Sequence, residues 1–295
     1  LAQITIDDRF HQAMSRGIRV LTGDELPTLV RESTPALYCW GDAGALRRPA
    51  VAIVGTRRAG TYGKACARKF AEALARAGAT IVSGGALGID GAAHEGALAA
   101  GGETVAVLAT GVDTVYPAVH AGLFERIRQQ GALVSQYAVG SRGDDYKFLA
   151  RNYLIAAIAQ AVIVIEAPHK SGSIRTAMDA GELGREVFVV PSTIDNPNYF
   201  GSFSLIEDGA TMLYRPEQVI DFLGLVPRPA AIQPSLSGMG SLAERILEIL
   251  PVEPLSMESL LEQLQMDPGP VLAELTLLEL DGRILREGNG YARIP

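Results

Sequence analysis

Two adjacent arginines stand in a glycine-broken stretch, Gly55-Thr56-Arg57-Arg58-Ala-Gly-Thr-Tyr-Gly63, and both suit phosphate oxygens. A guanidinium is planar, always charged and forked, so it meets an oxyanion with parallel donors. The stretch follows the apolar run Val51–Val54 and precedes an amphipathic run from Lys64 to Arg76, so it reads as a turn between a parallel strand and a helix. Backbone N–H groups and a helix N-terminus face outward at such a turn. It is not G-x-G-x-x-G, and Gly63-Lys64-Ala65 lacks the upstream glycine and the hydroxyl of a P-loop. A phosphate-bearing ligand is favoured, with neither a dinucleotide nor ATP specified.

Similar chemistry recurs. Ser83-Gly84-Gly85-Ala-Leu-Gly88-Ile-Asp90 places three glycines and a hydroxyl before another helix. Arg142, Lys147, Phe148, Arg151 and Asn152 bring cations and a stacking ring, and Ser171-Gly172-Ser173 opens a further helix after Glu166-Ala-Pro-His-Lys170. Asp90 either caps its helix or bonds to a ligand's sugar or base. Glu166 reads as a structural partner for nearby donors such as Asn152 rather than a ligand contact. His94 reads as a packed or surface histidine; Lys170 and Arg175 flank Ser171-Gly-Ser173 and either touch phosphate or are solvated loop charges, and both stay outside the candidate set. No nucleophile–histidine–acid set, metal-ligand cluster or pair of carboxylates in one loop is present, so the sequence offers no catalytic residues and calls for neither metal nor cofactor.

The elements that must position these residues are written as a repeat of buried strand, glycine loop and amphipathic helix. Strands are expected at 51–55, 79–83, 103–108, 132–135, 161–166 and 186–190, and helices near 62–77, 89–100, 120–130, 149–159 and 173–183. Right-handed crossovers gather every strand-to-helix loop on one rim of a mostly parallel α/β sheet with helices on both faces. Residues 1–48 read as an extension packed on this domain, with a helix-like Asp24 to Glu32 and an edge strand at Ala36–Trp40. The Rossmann-like domain spans 49–223 and a proline- and glycine-rich linker 224–240. Residues 241–295 carry three helical runs and a hairpin, the pattern of a winged helix.

The 295 residues, nearly half of them apolar, bury a core without staples. Cys39 and Cys66 fit no metal or redox spacing and read as reduced thiols. The longest apolar run, Leu154 to Ile165, is too short to span a bilayer and no export pattern opens the chain, so a soluble cytoplasmic protein is expected. The net charge is −7, and residues 241–295 carry −6 of it, with ten acidic and four basic residues. The third helical run of the winged helix, with Glu274 and Glu279 and no lysine or arginine, would repel phosphate, so a protein contact or scaffold role is expected there.

Taken together, Val54-Gly-Thr-Arg57, Tyr62-Gly63, the Ser83 to Asp90 loop with Ala93-His94, Gly111-Val-Asp-Thr-Val-Tyr-Pro117, Phe148-Leu-Ala-Arg-Asn152 and Ser171-Gly-Ser-Ile-Arg-Thr176 resemble the bacterial DNA-processing protein A family (DprA, also called Smf). The resemblance covers about residues 50 to 215 and extends to the winged helix. It implies an extended Rossmann-like domain that binds single-stranded DNA, dimerises, and loads the RecA recombinase onto incoming strands in natural transformation. By the same resemblance Arg57 is the principal phosphate-binding arginine. Ser83, Gly84, Gly85, Gly88 and Asp90 match a second glycine loop, and Phe148, Arg151 and Asn152 match a motif written Phe-Pro-x-Arg-Asn-Arg. Leu149 and Tyr153 depart from that motif, Ser192 stands at a usual glycine, and Phe203 stands at a usual asparagine. The family's N-terminal helical domain is absent or trimmed.

The rival reading is a nucleotide-processing enzyme of the nucleoside monophosphate phosphoribohydrolase type, which shares a glycine loop opening a helix. Such enzymes use Pro-Gly-Gly-x-Gly-Thr with carboxylates close behind, whereas the carboxylate after Ser171–Thr176 is Asp179. The expectation is a non-enzymatic, sequence-independent binder of single strands. Its phosphates are held by Gly55, Thr56, Arg57, Arg58, Lys147 and Arg151, and its bases stack on Phe148 or a neighbouring tyrosine.

Overall fold

The computed structural model describes residues 6–225, 242–252, 254–280, 282–288 and 290–294. The chain forms two compact units, 1–228 and 229–295. Of the stretch read as a linker, all beyond Leu225 lies outside the described residues.

In the first unit a helix α1 (Ile6–Ser15) leads into the antiparallel strands β1 (Arg19–Thr22) and β2 (Ala36–Gly41), with α2 (Thr28–Ser33) between them. Six strands then alternate with helices: β3 (Ala50–Val54), α3 (Thr61–Arg76), β4 (Thr80–Ser83), α4 (Ile89–Ala99), β5 (Thr104–Val107), α5 (Ala121–Gln130), β6 (Ala132–Ser135), α6 (Asp145–Ile158), β7 (Ala161–Val164), α7 (Gly172–Glu182) and β8 (Glu186–Val189). After α8 (Phe200–Glu207), the short β9 (Thr211–Met212) closes the far edge, and α9 (Glu217–Phe222) follows. The nine-stranded sheet runs β1-β2-β6-β5-β4-β3-β7-β8-β9, parallel from β6 to β9.

This order has one functional consequence. From β3 the chain winds outward through β4, β5 and β6, then returns to lay β7 on the other side of β3. Helices therefore diverge from the carboxyl ends of β3 and β7, leaving a crevice where open parallel sheets take their ligands. Residues 50–54 are buried on both faces, as a central parallel strand must be. Val51 and Ile53 pack with the alanine-rich faces of α3 and α4, whereas Ala52 and Val54 pack with α6 and α7.

Three expectations need correction. Ala36–Gly41 is not an edge strand: β2 lies between β1 and β6, antiparallel to both, so the N-terminal segment extends the sheet. The run read as a helix from Asp24 to Glu32 is split, since a 3-10 turn (Gly23–Glu25) ends before Pro27 and α2 starts after it. Helix α6 begins at Asp145 rather than 149, which moves Lys147 and Phe148 from a loop onto its first turn.

The second unit has α10 (Leu242–Ile249), β10 (Leu255–Ser256), α11 (Met257–Leu264), α12 (Pro268–Leu280), β11 (Ile284–Glu287) and β12 (Gly290–Arg293). Its three strands pair in the order β10-β12-β11 over a core that includes Ile246, Leu260, Leu275 and Tyr291. This is a winged helix.

Because Ile53 is fully buried in the strand that flanks the crevice, Ile53→Ala is expected to lower stability by about 2–5 kcal/mol. The shift of the urea midpoint, followed by circular dichroism, measures it.

Candidate functional site

The loop after β3 is held from below. The Thr56 amide donates to the Glu166 carbonyl at 2.7 Å, and the Gly60 amide donates to both Glu166 carboxylate oxygens at 3.1 and 3.3 Å. Asn198 Nδ2 gives Glu166 Oε1 a further bond at 2.8 Å. Glu166 is buried, and its role is structural, although the donor from α6 expected for it goes elsewhere: Asn152 Nδ2 donates to the Gly172 carbonyl at 3.2 Å. Between the two anchored ends, Arg57 and Arg58 are exposed. Among the described residues neither has a carboxylate oxygen within ion-pair distance. The Arg57 guanidinium lies 5.2 Å from the centre of the Phe148 ring.

The second glycine loop packs under the first. Gly88 has φ of +80°, and a Cβ there would run into the main chain of Thr56 and Arg57, so only glycine lets the loops approach this closely. The Ile89 amide donates to the Thr56 carbonyl across this contact, at 3.3 Å. Asp90 turns back on its own loop and accepts from the Gly84 and Ala86 amides at 3.1 and 3.3 Å. Behind it Arg151, also buried, donates through Nη1 to the carbonyls of Gly84 and Val107. Burial pushes the Asp90 carboxyl up, against the pull of Arg151 and the two amides. Burial also pushes the Arg151 guanidinium down, with Asp90 opposing and the charge of Arg57 adding to the effect.

On the third side, Ser171 caps α7. Its Oγ accepts from the Ser173 amide at 3.3 Å and lies 2.6 Å from the Ser173 hydroxyl. Together these pieces enclose an open cavity of about 370 Å³ at the carboxyl ends of β3 and β7.

Of the residues singled out in the sequence, Gly55, Thr56, Arg57, Arg58, Asp90, Phe148, Arg151, Asn152, Ser171, Gly172 and Ser173 line this cavity. Ser83, Gly84, Gly85, Gly88 and Lys147 do not. The Ser83 hydroxyl is spent on the Ile53 carbonyl at 2.6 Å, and Gly84 and Gly85 are buried beneath the floor. Lys147 turns aside, donating to the Arg142 carbonyl at 2.6 Å, pairing with Asp144 at 3.2 Å and lying 5.0 Å from the Tyr137 ring. Arg151 reaches the cavity as part of its wall, with Nη1 already bonded to carbonyls.

Lys170, left outside the candidate set as a solvated loop charge despite its place beside Ser171, is exposed and lines the cavity. A lone lysine in a loop carries no signal of its own, and only its neighbour, the cap at Ser171, hinted at it. Leu149, where the family motif has proline, also lines the cavity. Tyr153 packs on the core, Phe203 lies 6.4 Å from the Tyr199 ring, and neither they nor Ser192 line the cavity, so none of these three departures touches it. His94 is buried against Thr104 at 2.7 Å and held down to about 3 by desolvation, so it is a packed, neutral histidine.

A doubly wound sheet with a cationic, glycine-lined cavity at its switch point, together with a winged helix, defines an α/β protein of two parts. The chain belongs to the DNA recombination-mediator protein A family, whose model matches residues 21–224, and residues 218–290 match the DprA winged helix domain. It is 36% identical over 326 residues to a DNA processing protein DprA of Mycobacterium tuberculosis, covering 97% of this chain and 82% of that one. Protein Smf of Escherichia coli is also 36% identical, over 88% of this chain and 71% of its own. Among solved structures, DNA processing protein A of Streptococcus pneumoniae matches with a TM-score of 0.68 at 34% identity, over 73% of this chain and 78% of that one. The Helicobacter pylori protein, described for its single-stranded DNA binding mode, matches at 0.64 and 34%, over 70% of this chain and 95% of its own. No helix among the described residues is long and apolar enough to cross a membrane.

Arg151→Met would leave the Gly84 and Val107 carbonyls unpaired and Asp90 without its buried counter-charge. It is expected to cost about 3–5 kcal/mol of stability, read as a fall in the denaturant midpoint with no ligand present.

Proposed function

We propose that this chain binds single-stranded DNA without sequence preference and catalyses no reaction. The observation that carries this is the cavity at the sheet's switch point, where Arg57, Arg58 and Lys170 stand without carboxylate partners among the described residues, beside the capped start of α7. Amides and guanidinium groups read backbone phosphates rather than base edges, so they bind any sequence. A crevice between strand ends also admits one strand more readily than a duplex. The Helicobacter pylori relative, named for this ligand, supports the assignment.

The rival, nucleotide hydrolysis, needs a free carboxylate in the cavity. Asp90 is the one carboxylate in its lining, and its Oδ2 accepts from two main-chain amides. Dimerisation through the sheet domain and delivery of the RecA recombinase onto the bound strand, both implied by the family resemblance, complete the proposal. The acidic winged helix serves protein contact within it, and the protein works in the cytoplasm.

Arg57→Ala is expected to weaken binding of any single-stranded oligonucleotide by about 1–3 kcal/mol, the worth of a charged hydrogen bond. It should also shallow the salt dependence by about 0.7 log units per log of salt for the phosphate lost. Fluorescence anisotropy across a salt series measures both, and unchanged binding in a folded variant would refute the cavity as the DNA site. Incubation with nucleoside monophosphates is expected to release no base by chromatography; turnover would make the protein an enzyme.

A further inference from the structure

Phe148 is not a free platform. The Arg57 guanidinium lies 5.2 Å from its ring centre and that of Arg151 5.7 Å, so two cations already crowd the ring. Its third neighbour is Tyr116, whose ring centre is 5.9 Å away at an interplanar angle of 58°. Tyr116 does not line the cavity, and it is 53% exposed. It stands on the loop after β5, on the same rim of the sheet, with exposed Val115 and Val119 near it in sequence.

That loop is braced. The Thr114 amide donates to the Gly111 carbonyl at 2.9 Å, and the Thr110 hydroxyl donates to the Thr114 carbonyl at 2.8 Å. The Gly111 amide donates to the Ser141 carbonyl at 2.9 Å, while Asp113 accepts from the Gly140 amide and from Arg16, both at 2.7 Å. An aromatic ring held on a fixed main chain, more than half exposed and touching the ring beneath the phosphate-binding arginine, is a pre-organised stacking surface. The carboxylate nearest in sequence, Asp113, is neutralised by Arg16 and mostly buried.

We propose that Tyr116 forms a second subsite, outside the cavity, which takes an unpaired nucleobase of the strand whose phosphate is held at Arg57. This rests on the single-strand reading above and adds a direction to it: the strand leaves the cavity across Phe148 toward the loop after β5. The subsite accepts any base, since every base has a stacking face. It rejects duplex, whose bases are stacked on one another.

The test uses the full chain and a single-stranded oligothymidine by fluorescence anisotropy across a salt series. Tyr116→Ala should weaken binding roughly five- to hundred-fold, the range for losing one base–aromatic stack, with the salt slope unchanged because no phosphate contact is lost. Tyr116→Phe should bind like the unsubstituted protein. Binding by Tyr116→Ala as tight as the parent's, an equal loss in Tyr116→Phe, or a shallower salt slope would overturn the subsite. Arg57→Ala, measured alongside, separates the two readings: weakening there without any effect at Tyr116 removes the subsite alone, and no effect at Arg57 removes the cavity. Should Tyr116→Ala fail to fold, photo-crosslinking of the parent protein to an iodouracil strand decides: an adduct on Tyr116 supports the subsite and its absence refutes it.

Discussion

The geometry of the cavity depends on one buried carboxylate. Glu166 sits just past the end of β7, and an ion removed from water at that point carries a desolvation penalty of several kcal/mol unless donors compensate it. The compensation comes from the loop opposite: the Gly60 amide bonds to both oxygens, and Asn198 bonds to one. The Glu166 carbonyl takes the Thr56 amide as well, so the same residue grips both ends of the segment that carries the two arginines. Gly63 follows from the same demand, since a side chain there would occupy the space of the carboxylate. With its oxygens committed to amides, Glu166 does not compete with a phosphate for Arg57 or Arg58.

A second division of labour separates the arginines by depth. Arg151 binds carbonyls from β5 and from the loop after β4, and thereby ties α6 to the sheet under the cavity. Its charge is largely balanced by Asp90, each opposing the effect of burial on the other. Arg57 and Arg58 stand exposed, with no carboxylate partner among the described residues. A negatively charged ligand therefore meets a wall that is internally compensated and a mouth that is not. The Phe148 ring neighbours both kinds of arginine, 5.2 Å from the Arg57 guanidinium and 5.7 Å from that of Arg151.

Much of this was legible in the residues, for definite reasons. Strands β3 to β8 are central or nearly so and read as short unbroken apolar runs, and the glycines after them mark the loops. The reversal of winding between β6 and β7 set the site, and the sequence reading placed the loops on the correct rim from handedness alone. Burial was not legible. Arg57 and Arg151 look equivalent in a line of text, and only packing shows that one guanidinium is spent. Lys147 illustrates the same limit: its helix starts on polar residues upstream of the apolar periodicity, and periodicity alone leaves it in a loop facing the ligand. Strand β1 escaped because it is short and half-buried, and β2, legible as a strand, reads as an edge because its mixed pattern is that of an antiparallel margin although β1 and β6 flank it.

Net charge and local charge point in opposite directions in this molecule. The chain carries −7 in total, most of it from its last 55 residues, and on that ground alone DNA should be repelled. At physiological ionic strength, however, exposed charges farther apart than about 8 Å are largely screened. Under the proposed function a phosphate at Arg57 meets an exposed guanidinium, the loop's amides and the capped start of α7, which line one cavity. The acidic surplus is written into a separate folding unit, and α12, the helix that a DNA-reading winged helix would lay in a groove, bears Glu274 and Glu279 with exposed Leu272 and Leu277. Such a surface disfavours phosphate at contact distance, where screening offers no relief. With that surplus in the winged-helix unit, residues 1–240 keep 23 acidic and 22 basic residues, and under the proposed function strand binding falls to the cavity where Arg57, Arg58 and Lys170 stand without carboxylate partners among the described residues.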